Sequence, residues 1–319
     1  MFTGILRPCT LRIAAISLAG FAAAASIPPA FAQDWQLSFG PFTTAADVSN
    51  HNRMPLDIAD VNASLAGAEP DWSEALSRFA FGGHFANHSL AIFTDNYNGR
   101  LTTHLSVSTE HFGSPSFQNH AINAALVGSG AFRRVDDEIR TGFIETALIS
   151  VAINWARYEL GESERKALMD EPNWSLQNGS PKNWNEIFAF YWGPDGQYSA
   201  FEAVAAIDGG EAINAVLLDA LAEGQDVLLT EVWADVEAER VKTVLDEASI
   251  VLFADALNVA ALADADTLPS LRARAAGYWL AAAEALAADE ALAERIESAL
   301  WGEPDLDLIT GLASEIAGH

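Results

Sequence analysis

Two kinds of side chain in this sequence carry chemistry by type and position: histidines gathered in the first half, and glutamates set into apolar sequence. His84 and His88 stand four residues apart, a spacing that puts two imidazoles on one helix face, where they can hold a metal. Gly82 and Gly83 precede them, so a helix start and a loop are both open placements. His104, Glu110, His111 and His120 follow. Imidazole and carboxylate without sulfur suit iron, manganese or zinc. The plain alternative is that these are surface or capping histidines.

Glu145 lies within Phe143-Ile144-Glu145-Thr146-Ala147-Leu148, and Glu159 is fourteen residues further on. That is about four helical turns, so the two share a stripe. A carboxylate buried without a partner is costly, so each needs a cation, which Arg140, Arg157 or a metal would supply. A structural Glu–Arg pair between helices explains the same residues equally well. Glu186, in Trp184-Asn185-Glu186-Ile187-Phe188, either reaches a free N–H at a helix start or points inward beside the aromatics. The candidate metal ligands are therefore Glu145, Glu159, Glu186, His84, His88 and His111. Enzyme templates fail: there is no H-E-x-x-H, no G-x-S-x-G, no phosphate-cradling G-x-x-x-x-G-K-S/T and no strand-borne G-x-G-x-x-G. The expectation is a binding protein and not an enzyme.

The elements that position these residues read as helices. Residues 71–81, 119–127, 136–169 and 183–192 are helical in the first half, and residues 136–169 are apolar round most of their circumference between Phe143 and Trp155. Such a helix is central in a bundle. Gly161 is expected to end or kink it. In the second half, apolar residues recur at three- and four-residue steps over 229–250, with Thr230 as cap, and again over 267–287, 290–300 and 305–317. Residues 101–109 alternate weakly, as a strand would. The fold class is all-α, an irregular multi-helix bundle of roughly ten helices.

The chain has 319 residues, 17 basic and 44 acidic, a net charge of −27 and one cysteine. Half of it is apolar, enough for a packed core. The acidity excludes nucleic acid and an anionic membrane surface as partners. Arg7 and Arg12, an apolar run from Ile13 to Ala25 and Ala30-Phe31-Ala32 read as a secretory signal cleaved after Ala32. Cleavage removes two of the 17 basic residues and no acidic one, so −27 becomes −29, and Cys9 leaves with the signal. The mature protein is then free of disulfides and thiolate sites, and its expected destination is the periplasm or the cell exterior, without membrane insertion. Residues 33–319 read as one helical domain: a histidine-bearing half, 33–199, and an acidic Ala/Leu-rich half, 200–319, with 24 acids and 5 bases.

Several stretches together resemble the low-iron-inducible periplasmic protein family, the iron-assimilation proteins. They are Leu56 to Leu65 with Asp71-Trp72-Ser73-Glu74-Ala75, then Phe112-Gly113-Ser114-Pro115 and Ala124 to Gly130. Arg140 to Glu145, Tyr158-Glu159-Leu160, Asn183 to Glu186 and Phe188 to Gly193 complete the series. The similarity spans roughly residues 50–300. It implies a secreted, helical protein tied to iron acquisition, with iron as the bound cation, carboxylates as ligands and a periplasmic or membrane transport partner. It maps Glu145, Glu159 and Glu186 onto recurrent acidic positions. The sequence departs at Ala276, where similar sequences tend to place a glutamate before the glycine. A helical interaction module without metal and a His/carboxylate metalloenzyme are the alternative readings.

Overall fold

A long helix with apolar residues on every side has to be surrounded, and here it is. The computed structural model describes residues 36–86, 88–96 and 99–318, so the expected signal segment lies outside the described residues. Residues 34–319 belong to one unit. A two-residue antiparallel pair, β1 (Ser38–Phe39) and β2 (Phe42–Thr43), leads into a 3-10 turn, His51–Arg53. The first helices are α1 (Met54–Leu65), α2 (Trp72–Phe81), α3 (Leu90–Thr94), α4 (Leu101–His104), α5 (Ser106–Phe112) and α6 (Phe117–Val127). The central ones are α7 (Asp137–Leu168), α8 (Ser180–Trp192) and α9 (Ala200–Ala205). The acidic half forms α10 (Gly210–Leu228), α11 (Asp235–Ala261), α12 (Leu268–Leu286), α13 (Glu290–Trp301) and α14 (Leu306–Ile316). The fold is all-α, with fourteen α-helices among the described residues.

Helix α7 is the axis of the bundle. It packs most extensively on α12 and α8, and α11 packs against both α12 and α7. From Phe143 to Leu160 nearly every residue is buried. One stripe of α7 is polar and still buried, because it meets backbone. Thr146 Oγ1 donates to the Arg274 carbonyl at 2.8 Å, Ser150 Oγ to that of Gly277 at 2.8 Å and Asn154 Nδ2 to that of Leu280 at 2.8 Å. Arg157 ends the ladder on the carbonyl of Ala281 at 2.9 Å. Each bond satisfies a group that would otherwise be costly to bury. The close approach is possible because α12 presents Ala276, Gly277 and a run of buried alanines to this face. Ala276 is thus a buried residue of α12.

Three expectations need correction. Residues 101–109 are not a strand; they form α4 and α5, broken at Leu105, whose backbone is non-helical. The apolar period over 229–250 crosses a helix boundary. α10 ends at Leu228, α11 begins at Asp235, and Glu231 adopts a positive φ of 61° between them. Leu229, Val232 and Val236 are exposed, so the period counted residues that bury nothing. Gly161 neither ends nor kinks α7, which runs through it to Leu168. Its missing side chain makes room for the His104 ring.

Candidate functional site

Of the residues singled out by sequence, the fold brings two together. Glu159 on α7 and Glu186 on α8 face each other in the interior. Asn183, one turn before Glu186, donates from Nδ2 to both: to Glu159 Oε2, and to Glu186 Oε2 at 3.1 Å. Its Oδ1 accepts from Lys166 Nζ at 2.6 Å, and Lys166 also donates to the Asn178 carbonyl at 2.8 Å. On the other side, Glu186 Oε1 meets His51 Nε2 at 3.0 Å and Lys182 Nζ at 2.9 Å. Lys182 also donates to the Asp47 carbonyl at 2.6 Å, and its Nζ lies 3.4 Å from His51 Nδ1. A neutral imidazole carrying its proton on Nε2 satisfies both ring contacts.

Burial raises the Glu159 carboxyl well above the usual range, and the charge and hydrogen bond of Glu186 add to this. Asn183 and Lys166 pull the other way without cancelling it. Burial and the neighbouring carboxyl therefore both favour the protonated form of Glu159. Burial also lowers Lys166, against the pull of Glu186, Glu159 and Glu162. His51 is lowered to about 4, first by burial and then by Lys182 and His88, while Glu186 and Asp47 oppose. Phe85 and Phe190 hold the ring edge-on, with centroids at 5.2 and 5.6 Å.

The lowered His51 makes stability depend on pH. Between pH 6.5 and about 4 the unfolded chain binds a proton at this position and the folded chain does not, so stability falls as pH falls through that window. The raised Glu159 acts in the opposite sense, costing stability as pH rises above 4.5. Subtracting His51→Gln from wild type isolates the first effect. In urea unfolding, the advantage of wild type over the variant should shrink by up to about 2 kcal/mol on going from neutral pH to about pH 5. The ring side chain is 23% exposed, which makes this an upper bound. A constant difference would contradict the assignment.

The remaining candidates stand apart. Glu145 pairs with Arg274 across α7 and α12 at a half-exposed position. The cations expected for these glutamates are engaged elsewhere: Arg140 lies over the Trp72 ring at 3.5 Å and donates to the carbonyls of Ala125 and Leu126, and Arg157 binds Asp246. His84 and His88 do not share a helix face, because the backbone turns at Gly82, whose φ is 62°. There Asp57 accepts from the N–H groups of His84 and Phe85 at 3.0 and 3.3 Å. His84 Nε2 lies 3.2 Å from Asp60, while His88 stacks on Phe93 and meets Phe85 edge-on. His111 Nε2 lies 3.2 Å from Glu297, beside the Trp279 ring. Among the described residues, no three histidine, cysteine, aspartate or glutamate side chains are grouped so as to hold a metal.

Sequence reasoning missed His51, Lys166, Lys182 and Asn183 as members of the site. A signal for two of them existed: Lys182 and Asn183 precede Glu186 by four and three residues, which places all three on one face of α8.

These features define an all-helical protein with a buried carboxyl pair at the junction of its central helices. The chain belongs to the low iron-inducible periplasmic protein family, whose sequence model matches residues 16–300. No curated protein and no solved structure gives a significant match. The family is described as periplasmic, and no helix among the described residues is long and apolar enough to cross a membrane.

Proposed function

We propose that this protein is a non-enzymatic binding protein of the periplasm that serves iron acquisition, taking up the cation at Glu159 and Glu186 in exchange for the proton they share. The observation that carries this reading is the pair itself: two carboxyls brought face to face in the core and bridged by Asn183, where burial pushes Glu159 above the usual carboxylate range. A site that holds a proton between two hard oxygen donors gains a second attraction when a multivalent cation replaces it. The negative charge of the chain concentrates cations around the protein. Glu186 presents Oε2 to the pair and turns Oε1 to His51 and Lys182. His51 Nε2 is a neutral nitrogen already in contact with Glu186, on its Oε1 side. A transport partner in the periplasm or membrane would receive the metal.

The test uses mature, tag-free protein titrated with Fe(II), Fe(III), Mn(II) and Zn(II), alongside elemental analysis of protein purified from its own compartment. Wild type should bind at micromolar concentration, and Glu159→Gln should not. The variant keeps a neutral group with one donor for Glu186 and one acceptor for Asn183, so its stability should stay within about 1 kcal/mol of wild type. Glu159→Ala strands both partners and should cost about 2–4 kcal/mol. Absence of stoichiometric metal and of micromolar binding would overturn the reading.

A second reading, a helical interaction module without metal, draws on the pairing of Glu145 with Arg274 and of Glu186 with Lys182. On that reading Glu159→Gln changes no cation affinity.

A further inference from the structure

Away from the buried pair, two arginines and a histidine line an open groove of about 670 Å³ between α4 and the end of α7. These are Arg100, His104 and Arg165, and all three are anchored on Glu162, a side chain only 4% exposed. Three groups converge on that one carboxylate. Arg100 reaches Oε2 at 2.9 Å, His104 Nε2 reaches Oε1 at 3.0 Å, and Arg165 spans both oxygens with Nε and one terminal nitrogen at 2.8–3.2 Å. Burial would raise the Glu162 carboxyl, but His104, Arg165 and Arg100 outweigh it and bring it to about 2. The anion is therefore ionised, and two guanidinium cations, Arg100 and Arg165, stand against its single charge.

The place is built, not incidental. His104 fits only because position 161 is glycine: a methyl there would run into the imidazole ring. Glycine in a helix interior weakens the helix, so its presence in the last third of a 32-residue helix accommodates the histidine. Tyr158 holds the other side of the ring edge-on at 5.3 Å. The two guanidinium side chains remain 43% and 39% exposed. Arg100 spends one terminal nitrogen on Glu162, which among the described residues leaves the rest of its fork to the groove. Leu168 and Met169 add an apolar rim, and Glu164 on the lining is a carboxylate that opposes an incoming anion.

We propose that this groove binds a small carboxylate-bearing anion, a polycarboxylate of the kind that chelates ferric ion, with its carboxylates on the free edges of Arg100 and Arg165. Planar guanidinium forks match carboxylate geometry, which lysine does not. The volume admits a molecule of citrate size. The choice of an iron-chelating polycarboxylate rests on the proposed role in iron acquisition, whereas recognition of the anion by the arginines does not depend on Glu159 and Glu186.

The test is calorimetric titration of the mature protein with citrate, ferric citrate and inorganic phosphate. Citrate should bind once and saturably, with a Kd below about 1 mM. Arg100→Gln should weaken it at least ten-fold while leaving His104 and Arg165 to hold Glu162. Arg165→Gln is the second variant should the first fold poorly, and Glu164→Gln should tighten binding. Ferric citrate binding as citrate does identifies the chelate as the ligand. Phosphate binding more tightly than citrate, no saturable citrate binding, or unchanged affinity in both arginine variants would each overturn the proposal.

Discussion

Arg157→Ala should remove about 3–5 kcal/mol from the stability of this protein, read as a shift in the urea midpoint at unchanged slope. Arg157 is only 6% exposed, and its guanidinium is satisfied on every side. Nε and one terminal nitrogen bind Asp246 Oδ1 at 3.1 and 2.7 Å, and that same terminal nitrogen reaches Ser249 Oγ at 2.9 Å and the Leu245 carbonyl at 3.2 Å. The other terminal nitrogen binds Asn154 Oδ1 at 2.8 Å and the Ala281 carbonyl at 2.9 Å. One side chain thus ties α7 to both α11 and α12. Truncation leaves Asp246 without its cation and buried acceptors without a donor, and those stranded groups carry most of the cost. Arg157→Lys keeps the charge but cannot span both helices at once, so it should still lose about 2 kcal/mol. Recovery of wild-type stability by lysine would show that charge alone matters here.

Gly277→Ala should be destabilising by about 3 kcal/mol or more, although alanine is the better helix former by about 1 kcal/mol. The reason is the α7–α12 crossing. A methyl at 277 would collide with Thr146 Oγ1 and lie 2.6 Å from the Phe143 carbonyl oxygen and 2.7 Å from the Ala147 nitrogen. Two of these obstacles are backbone, so the helices must separate, and the ladder of Thr146, Ser150 and Asn154 onto α12 carbonyls goes with them. Gly311 in α14 is the matched control, since a methyl there meets nothing within 4 Å. Gly311→Ala should stabilise by up to about 1 kcal/mol. Both variants measured by thermal or urea unfolding decide the matter: equal effects would mean that the close crossing is not what the glycine serves.

The contrast between these two glycines explains how much of the fold was legible. Periodicity marks which residues are apolar, and it placed α7 within one residue of its observed ends and located α2, α8, α12, α13 and α14. It does not report which apolar residues find a partner. Leu229 and Val232 fit a helical period, yet they are exposed and lie in the turn between α10 and α11. Nor does it distinguish a glycine that breaks a helix from one that lets another group approach, as Gly161 does for His104.

The site was legible in part for a related reason. A carboxylate embedded in apolar sequence is conspicuous, which singled out Glu159 and Glu186. Glu145 looked the same on the helical stripe, but Arg274 of α12 meets it at a half-exposed edge. His51 comes from a turn 135 positions before Glu186, and spacing alone carries no trace of that contact. The His84/His88 spacing was a helix-face signal on a segment that is not helical, since Asp57 captures its backbone N–H groups.

The central claim is that a cation replaces a proton between Glu159 and Glu186. Proton release tests it most directly, with Fe(II) added without oxygen to weakly buffered mature protein near neutral pH and the protons counted against metal bound. The account predicts about one proton released per metal bound, and neither binding nor release in Glu159→Gln. Metal bound without proton release, or release that persists in Glu159→Gln, would contradict it.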